Sequence, residues 1–394
     1  MVEISDIPDD GGAPNKKPQE QPPGEAKTAT SLASLPVVLI ELIVARVPIC
    51  NHPAISVISK LFGRITSSPD LRHARSQLAI TDHVLYALVG HPPFPPSWHI
   101  LYRSSNGSLR LRRVNTLPPM PYGPAVVTIG HEIYVIGGSD VSGRYLSSVT
   151  VVDCRTHTCR SLPSMRVARL RAAAGVANGR IYVMGGCENI HRSKDWVESF
   201  DLERQVWIGT GGEVSDVSGG FVTYDVVKEK LYVLGLTRSL HVFEPKEGKL
   251  LTGVAYNASD LTGLWQGSSC VVDDLLYNFD PGCWRGQPII VFDPEEGVEE
   301  GVWKPVRGVY GLPPQLYWYG FESKMANVGG KLVILVGNQS QYWNYYGDKY
   351  IWCVEIALER RQGGEIWGRV ESVDVVFKTS ESTPIIELCR TVIV

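Results

Sequence analysis

Long apolar runs are missing from this 394-residue chain. The longest, Leu35 to Val47, is interrupted by Glu41 and falls short of the roughly 20 apolar residues that a membrane-crossing helix needs. No membrane partner is therefore expected. Residues 1–30 hold no apolar block of the kind a secretory leader requires. Rich in Pro, Gln, Glu and Lys and poor in aromatics, they read as a disordered, solvated tail. The expected compartment is then the reducing cytoplasm or nucleus, and the eight cysteines, with no CxxC among them, read as free thiols. A dominant charge is missing too. Lys and Arg number 38 against 41 Asp and Glu, a net charge of -3, which argues against broad nucleic-acid binding. The nine histidines are dispersed, with no HxH or HExxH, so no metal, other cofactor or catalytic constellation is expected.

What is plentiful is glycine, proline and tyrosine, and the pattern that joins them repeats. "EIYVIGG" at 132–138 returns as "RIYVMGG" at 180–186 and "KLYVLGL" from Lys230. Fainter copies are "LLYNFDP" from Leu275, "KLVILVG" from Lys331 and "VLYALVG" from Val84. The register residues Leu85, Ile133, Ile181, Leu231, Leu276 and Leu332 lie 45 to 56 residues apart, and the next position is Tyr in five of the six copies. With only 17 tyrosines in the chain, that column marks a real repeat. Turn pairs such as Asn178-Gly179, Asp273-Asp274 and Gly329-Gly330 precede several copies and predict tight hairpins. Alternating runs follow, and a tryptophan often ends the unit, as at Trp207, Trp303 and Trp367. The unit is therefore about four short strands. A phosphate cradle at Gly137-Gly138 is excluded, because that site needs a helix starting directly after the glycines and has no reason to recur at this spacing.

A repeat near fifty residues with strand, Gly-Gly and late Trp resembles the kelch motif. The resemblance implies a mainly β fold, a propeller of four-stranded blades around a channel, with six blades preferred and five the alternative. Its span is 79–394, and "CRTVIV" near the end reads as a strand that closes the ring on the first blade. The late Trp of that first copy is taken to be Trp98.

Residues 31–78 differ in character. In "SLPVVLIELIVARVP" Ser34 reads as a helix cap, Pro36 lies in the first turn and Pro48 stops the helix. Apolar residues cover nearly its whole circumference, and a module this small has little interior to hide them, so part of that face is expected to meet another protein. Ile55, Ile58, Leu61, Phe62 and Ile65 give a second helix with one apolar stripe, and Ser68 caps a third carrying Leu71 and Leu78. This order of elements resembles an F-box, and with the repeats it resembles the F-box/kelch proteins abundant in plants. In that family the F-box docks on a Skp-type adaptor and, through it, a cullin scaffold. The propeller holds a target protein for ubiquitination. The resemblance implies adaptor contacts at Leu35, Pro36, Leu39, Ile43, Val47, Pro48, Val57, Leu61 and Phe62. Val37 and Val38 depart from the acidic residues that many members carry there.

Target contacts are expected in loops that break the repeat. They are Trp284 and Arg285 in "GCWRGQ", Tyr317, Trp318 and Tyr319 in "PPQLYWYGFE", and Trp343 and Tyr345 in "QSQYWNYYGDKY". Trp, Tyr and Arg dominate interface hot spots, although packing between blades is the other use of such aromatics. Arg166 and Arg169 in "SMRVARLRAAA" stand at the entry to a small-residue strand. A structural role is their first reading and contact with an acidic target the second. Three functions result: a non-catalytic ligase receptor, a kelch scaffold that no longer binds the adaptor, and, least favoured, a propeller enzyme of the copper-oxidase kind.

Overall fold

Each repeat seen in the sequence is one four-stranded antiparallel sheet, and there are six of them. The computed structural model describes residues 35–394 except 105, 189–195, 210–220, 236–239, 253–267, 281, 294–302, 313–320 and 339–347. The expected tail at 1–30 lies outside the described residues, and the N-cap of the first helix is Pro36, not the expected Ser34, so Pro36 stands before the first turn and no side chain caps it. Blade two shows the common plan: strands Ala125–Ile129, Glu132–Ile136, Val149–Asp153 and Thr158–Leu162 pair in sequence order from the axis outward. The first strands of blades three to six are Ala173–Ala177, Phe221–Val227, Ser269–Val272 and Phe321–Val328. Neighbouring first strands touch all the way round, and Ile385–Ile393 completes the circle between blades six and two. The result is a six-bladed propeller.

Ring closure follows the expected route. Ile385–Ile393 pairs antiparallel with His83–His91, from His83 opposite Ile393 to Gly90 opposite Ile385, and so supplies the innermost strand of blade one. Phe94–Arg103 and Leu109–Arg113 complete that blade. Trp98 is therefore on a third strand, whereas Trp207 is on the fourth strand of blade three. The early position of Trp98 reflects a different strand, not a shortened copy.

The register column explains the ring's cohesion. Leu85, Ile133, Ile181, Leu231, Leu276 and Leu332 are all buried, and so is the column beside them, from Tyr86 to Val333. A second strand lies in mid-blade with a neighbouring blade on either face, so both of its faces are apolar. Tyr86 fills one such seam edge-to-face against Trp98, with its hydroxyl donating to the Cys154 carbonyl at 3.1 Å. Burial also pushes the Tyr134 and Tyr232 phenols up to about 12. Each buried side chain of this size contributes about 1.5–3 kcal/mol. The glycine pair is punctuation: Gly137 and Gly138 have φ of +63° and +99°, and a Cβ on Gly137 would meet the Arg169 carbonyl at 2.6 Å.

Among the described residues, four short α-helices lie ahead of the propeller: α1 (Val37–Ala45), α2 (His52–Ser56), α3 (Lys60–Ser67) and α4 (Pro69–Gln77). The single helix expected across Ile55 to Ile65 is in fact two. Ser59 is extended and its side chain accepts from the Phe62 amide, so it caps α3 instead of continuing α2. Ser68 caps α4 as expected, accepting from the Asp70 amide at 3.0 Å. These helices build a core of their own from Ile40, Val44, Ala45, Ile65 and Leu71.

Candidate docking surfaces

That core takes only one side of α1. Ile40 and Val44, four residues apart, point into it, while Val37, Val38, Leu39 and Ile43 remain exposed. Leu39 is 46% and Ile43 43% exposed, although neither carries a polar atom beyond its backbone. Val57 (82%) and Ile58, stranded in the break between α2 and α3, extend the exposed apolar set. Pro36 and Pro48 are exposed, and Val47 is half-buried. Leu35, Leu61 and Phe62 pack partly against the module's own core, so their exposed portions are smaller. Sequence reasoning missed Ile58 as an outward residue because it read one continuous helix there, which would have placed Ile58 on the inner stripe.

Strand direction sorts the propeller's loops. The second strands of all blades run the same way, so connections from second to third strand share one end of the ring. First-to-second hairpins share the other. The helical module is at the hairpin end, where His83 begins its strand and the Ile393 amide donates to the Gly130 carbonyl at 2.9 Å. The opposite end carries exposed Phe94, Val141 and Trp284. Trp284 is 74% exposed on a braced loop: the buried Asp280 carboxylate accepts from the Gly282 amide at 3.1 Å and the Trp284 amide at 2.7 Å. Burial pushes the Asp280 carboxyl up, while those amides work against it. Arg285 beside it is half-buried. Tyr317, Trp318, Tyr319, Trp343 and Tyr345 lie outside the described residues.

Arg169 is not a surface residue. Its side chain and that of Glu198 have no exposed area, and Nη2 meets Glu198 Oε1 at 2.8 Å. Nη1 donates to the Gly185 carbonyl at 2.6 Å and the Trp196 carbonyl at 3.1 Å. Glu198 Oε2 also accepts from the Arg166 amide at 2.8 Å. The pair staples the chain between blades two and three to blade three, which removes Arg169 from the expected target contacts. The reason is physical: a guanidinium surrounded by one carboxylate and several carbonyls has its donors engaged inside. Arg166 keeps an exposed side chain. The signal that could have revealed the pair is Glu198 itself, an acid within the buried part of the strand Val197–Asp201.

Among the described residues no cluster of three His, Cys, Asp or Glu side chains could hold a metal ion. No described helix is long and apolar enough to cross a membrane.

A profile of FKB95-type kelch-repeat domains matches residues 98–377, which takes in blades two to five, nearly all of blade six and the outer part of blade one. The chain belongs to this kelch-repeat family. The F-box/kelch-repeat protein At2g29830 of Arabidopsis thaliana is 43% identical over 401 residues, covering all of both chains. The F-box/LRR-repeat/kelch-repeat protein At2g29770 of the same plant is 41% identical over 404 residues, also covering both in full. A third Arabidopsis relative, Kelch repeat-containing protein At1g19460, is 42% identical over 405 residues, 96% of this chain and 95% of its own. The family profile begins beyond the helices, so membership rests on the propeller.

Proposed function

We propose that this kelch protein is the substrate-recognition subunit of a Skp–cullin–F-box ubiquitin ligase. The single observation that carries the reading is the outward apolar face of α1, kept in solvent although the module has a core to put it in. Leu35, Pro36, Leu39, Ile43, Val47, Pro48, Val57, Leu61 and Phe62 dock the Skp-type adaptor, and the cullin scaffold follows through it. The F-box names of relatives at about 40% identity support the same assignment. The loop end of the ring, with Trp284, Arg285 and Arg166, receives the target protein. The chain acts by proximity, raising the effective concentration of target lysines at the charged ubiquitin carrier, and contributes no catalytic group of its own. Co-purification of the full chain with a Skp-type adaptor tests the reading. Replacing Leu35 and Leu39 together by Asp abolishes the association while the propeller stays folded; undiminished binding refutes it.

A second reading has an observation behind it. At1g19460, whose name mentions kelch repeats and no F-box, matches this chain as well as the F-box-named relatives do. Val37 and Val38 also deny the N-terminus of α1 an acidic residue, a loss of about 0.3–1 kcal/mol of favourable interaction with the helix dipole. A kelch scaffold without adaptor binding would show a folded propeller and no adaptor in a quantitative pull-down.

A further inference from the structure

The helical module and the propeller meet at one carboxylate. Asp82, immediately before the strand His83–His91, accepts from Arg75 Nη2 at 2.8 Å and from the Ile49 amide at 2.7 Å. Its backbone N–H and C=O both pair with Val394 at 3.0 Å. Arg75, buried on α4, turns Nη1 to the carbonyls of Ala45 at 2.8 Å and Val47 at 3.0 Å, which end α1. The Asp82 carboxylate therefore ties α4 to the turn at Ile49, its partner Arg75 reaches the end of α1, and its backbone joins the ring-closing segment. The stretch leading to it is equally closed. Ala79 takes φ of +51°, its amide bonds the Ser76 carbonyl at 3.1 Å, and the Ile80 amide bonds the Arg75 carbonyl at 3.0 Å. This is a Schellman stop with an alanine where glycine is usual, a strained conformation that persists only when its surroundings hold it. The Ile49 side chain packs on the blade-one cluster that includes Val84, Tyr86, Leu388 and Val392.

We propose that Asp82 is a positioning residue that locks the helical module at a fixed angle on the propeller. On the ligase reading above, this lock holds the adaptor-docking face and the loop end at a constant separation, so that ubiquitin is delivered to a defined set of lysines. An ordinary linker would let the target swing.

The test is hydrogen exchange on the full chain, followed by ubiquitin transfer in a reconstituted ligase. Asp82→Asn should speed exchange of the Ile49 amide and of residues 78–82 at least tenfold, with the second strands of blades two to six unchanged. Adaptor affinity should stay within twofold, while mass spectrometry shows the receptor's own modified lysines spreading over more positions. Arg75→Gln should reproduce both effects, and adding it to Asp82→Asn should add little. Unchanged local exchange overturns the lock. Faster exchange throughout the propeller also overturns it, since Asp82 would then be a general stabiliser. Local loosening with an unaltered lysine pattern overturns the consequence for transfer. Should the native chain bind no adaptor, the ligase reading fails, and the exchange measurement still decides the lock.

Discussion

The two parts of the molecule treat apolar surface in opposite ways. In the propeller a Leu or Ile register column and a mostly Tyr column lie back to back in mid-blade, and both are buried by the neighbouring blades. In the helical module α1 has apolar residues on every side and buries only Ile40, Val44 and Ala45. The difference is one of geometry. A closed ring gives each sheet two neighbours, whereas short helices around five core residues leave the far side of each helix uncovered. An exposed Leu39 on the module therefore lies on a face that its own core leaves uncovered, while an exposed Trp284 on the ring marks a loop outside the blade seams.

The contrast predicts unequal sensitivity to mutation, and the largest effect belongs to ring closure. Removing Ile385 onward deletes the innermost strand of blade one and the neighbour that blades six and two share. The whole propeller should lose its cooperative melting, measured by calorimetry, because a ring of blades opened at one seam exposes the Tyr86 and Leu335 surfaces together. A retained cooperative transition would break the comparison, since the ring would then be no more cohesive than the module.

Next in size is the buried ion pair. Arg169→Met strands the Glu198 carboxylate in an unexposed site, which should cost about 3–5 kcal/mol in chemical denaturation. The double change Arg169→Met with Glu198→Leu should recover much of the loss, because no buried charge then remains unpaired. A loss below 1 kcal/mol in the single variant would show that the pair adds little to the stability of the ring.

Acid sharpens the comparison at the seam of blades one and six. His99 is buried against Phe377, donates Nδ1–H to the Ser97 carbonyl at 3.1 Å, and its pKa is held at about 4 mainly by burial, with His91 and Arg113 adding to the depression. Above pH 6.5 it is neutral in both folded and unfolded chains and contributes no pH dependence. Below that the unfolded chain takes up the proton and the folded one does not, so stability falls between about pH 6.5 and pH 4, by about 3 kcal/mol in all. His99→Asn should flatten that limb of the stability profile; an unaltered slope would assign the acid sensitivity elsewhere, burial also lowering His52 in the module and His91, His157 and His241 in the ring.

How much of this was legible in the residues depends on whether the signal was repeated. Six blades could be read because the same strand recurs, and the turns at Asn178-Gly179 and Asp273-Asp274 do take the positive φ their composition implies. Closure by the last strand was legible from "CRTVIV" because the first copy lacks a strand of its own. Partnerships between single residues were not legible. Nothing in the spacing of Arg169 and Glu198, or of Arg75 and Asp82, says that they meet, because each pair is joined by the fold and not by a period. The helix break at Ser59 was missed for a similar reason: a serine within an apolar stripe is equally compatible with a cap and with an outward face.

The smallest expected effect is the most informative about function. Leu39→Asp should leave stability within about 0.5 kcal/mol, since the side chain is already half in water and lies outside the module's core. Ile40→Asp, one position along, should unfold the module by burying a charge among Val44, Ile65 and Leu71. Measured side by side by circular dichroism, the two variants separate packing from docking on the same helix. If Leu39→Asp abolishes adaptor capture with the helices intact, the outward face is an interface. If instead it melts the helices as Ile40→Asp does, the exposed leucine serves folding, and the apolar surplus of α1 has no partner to explain.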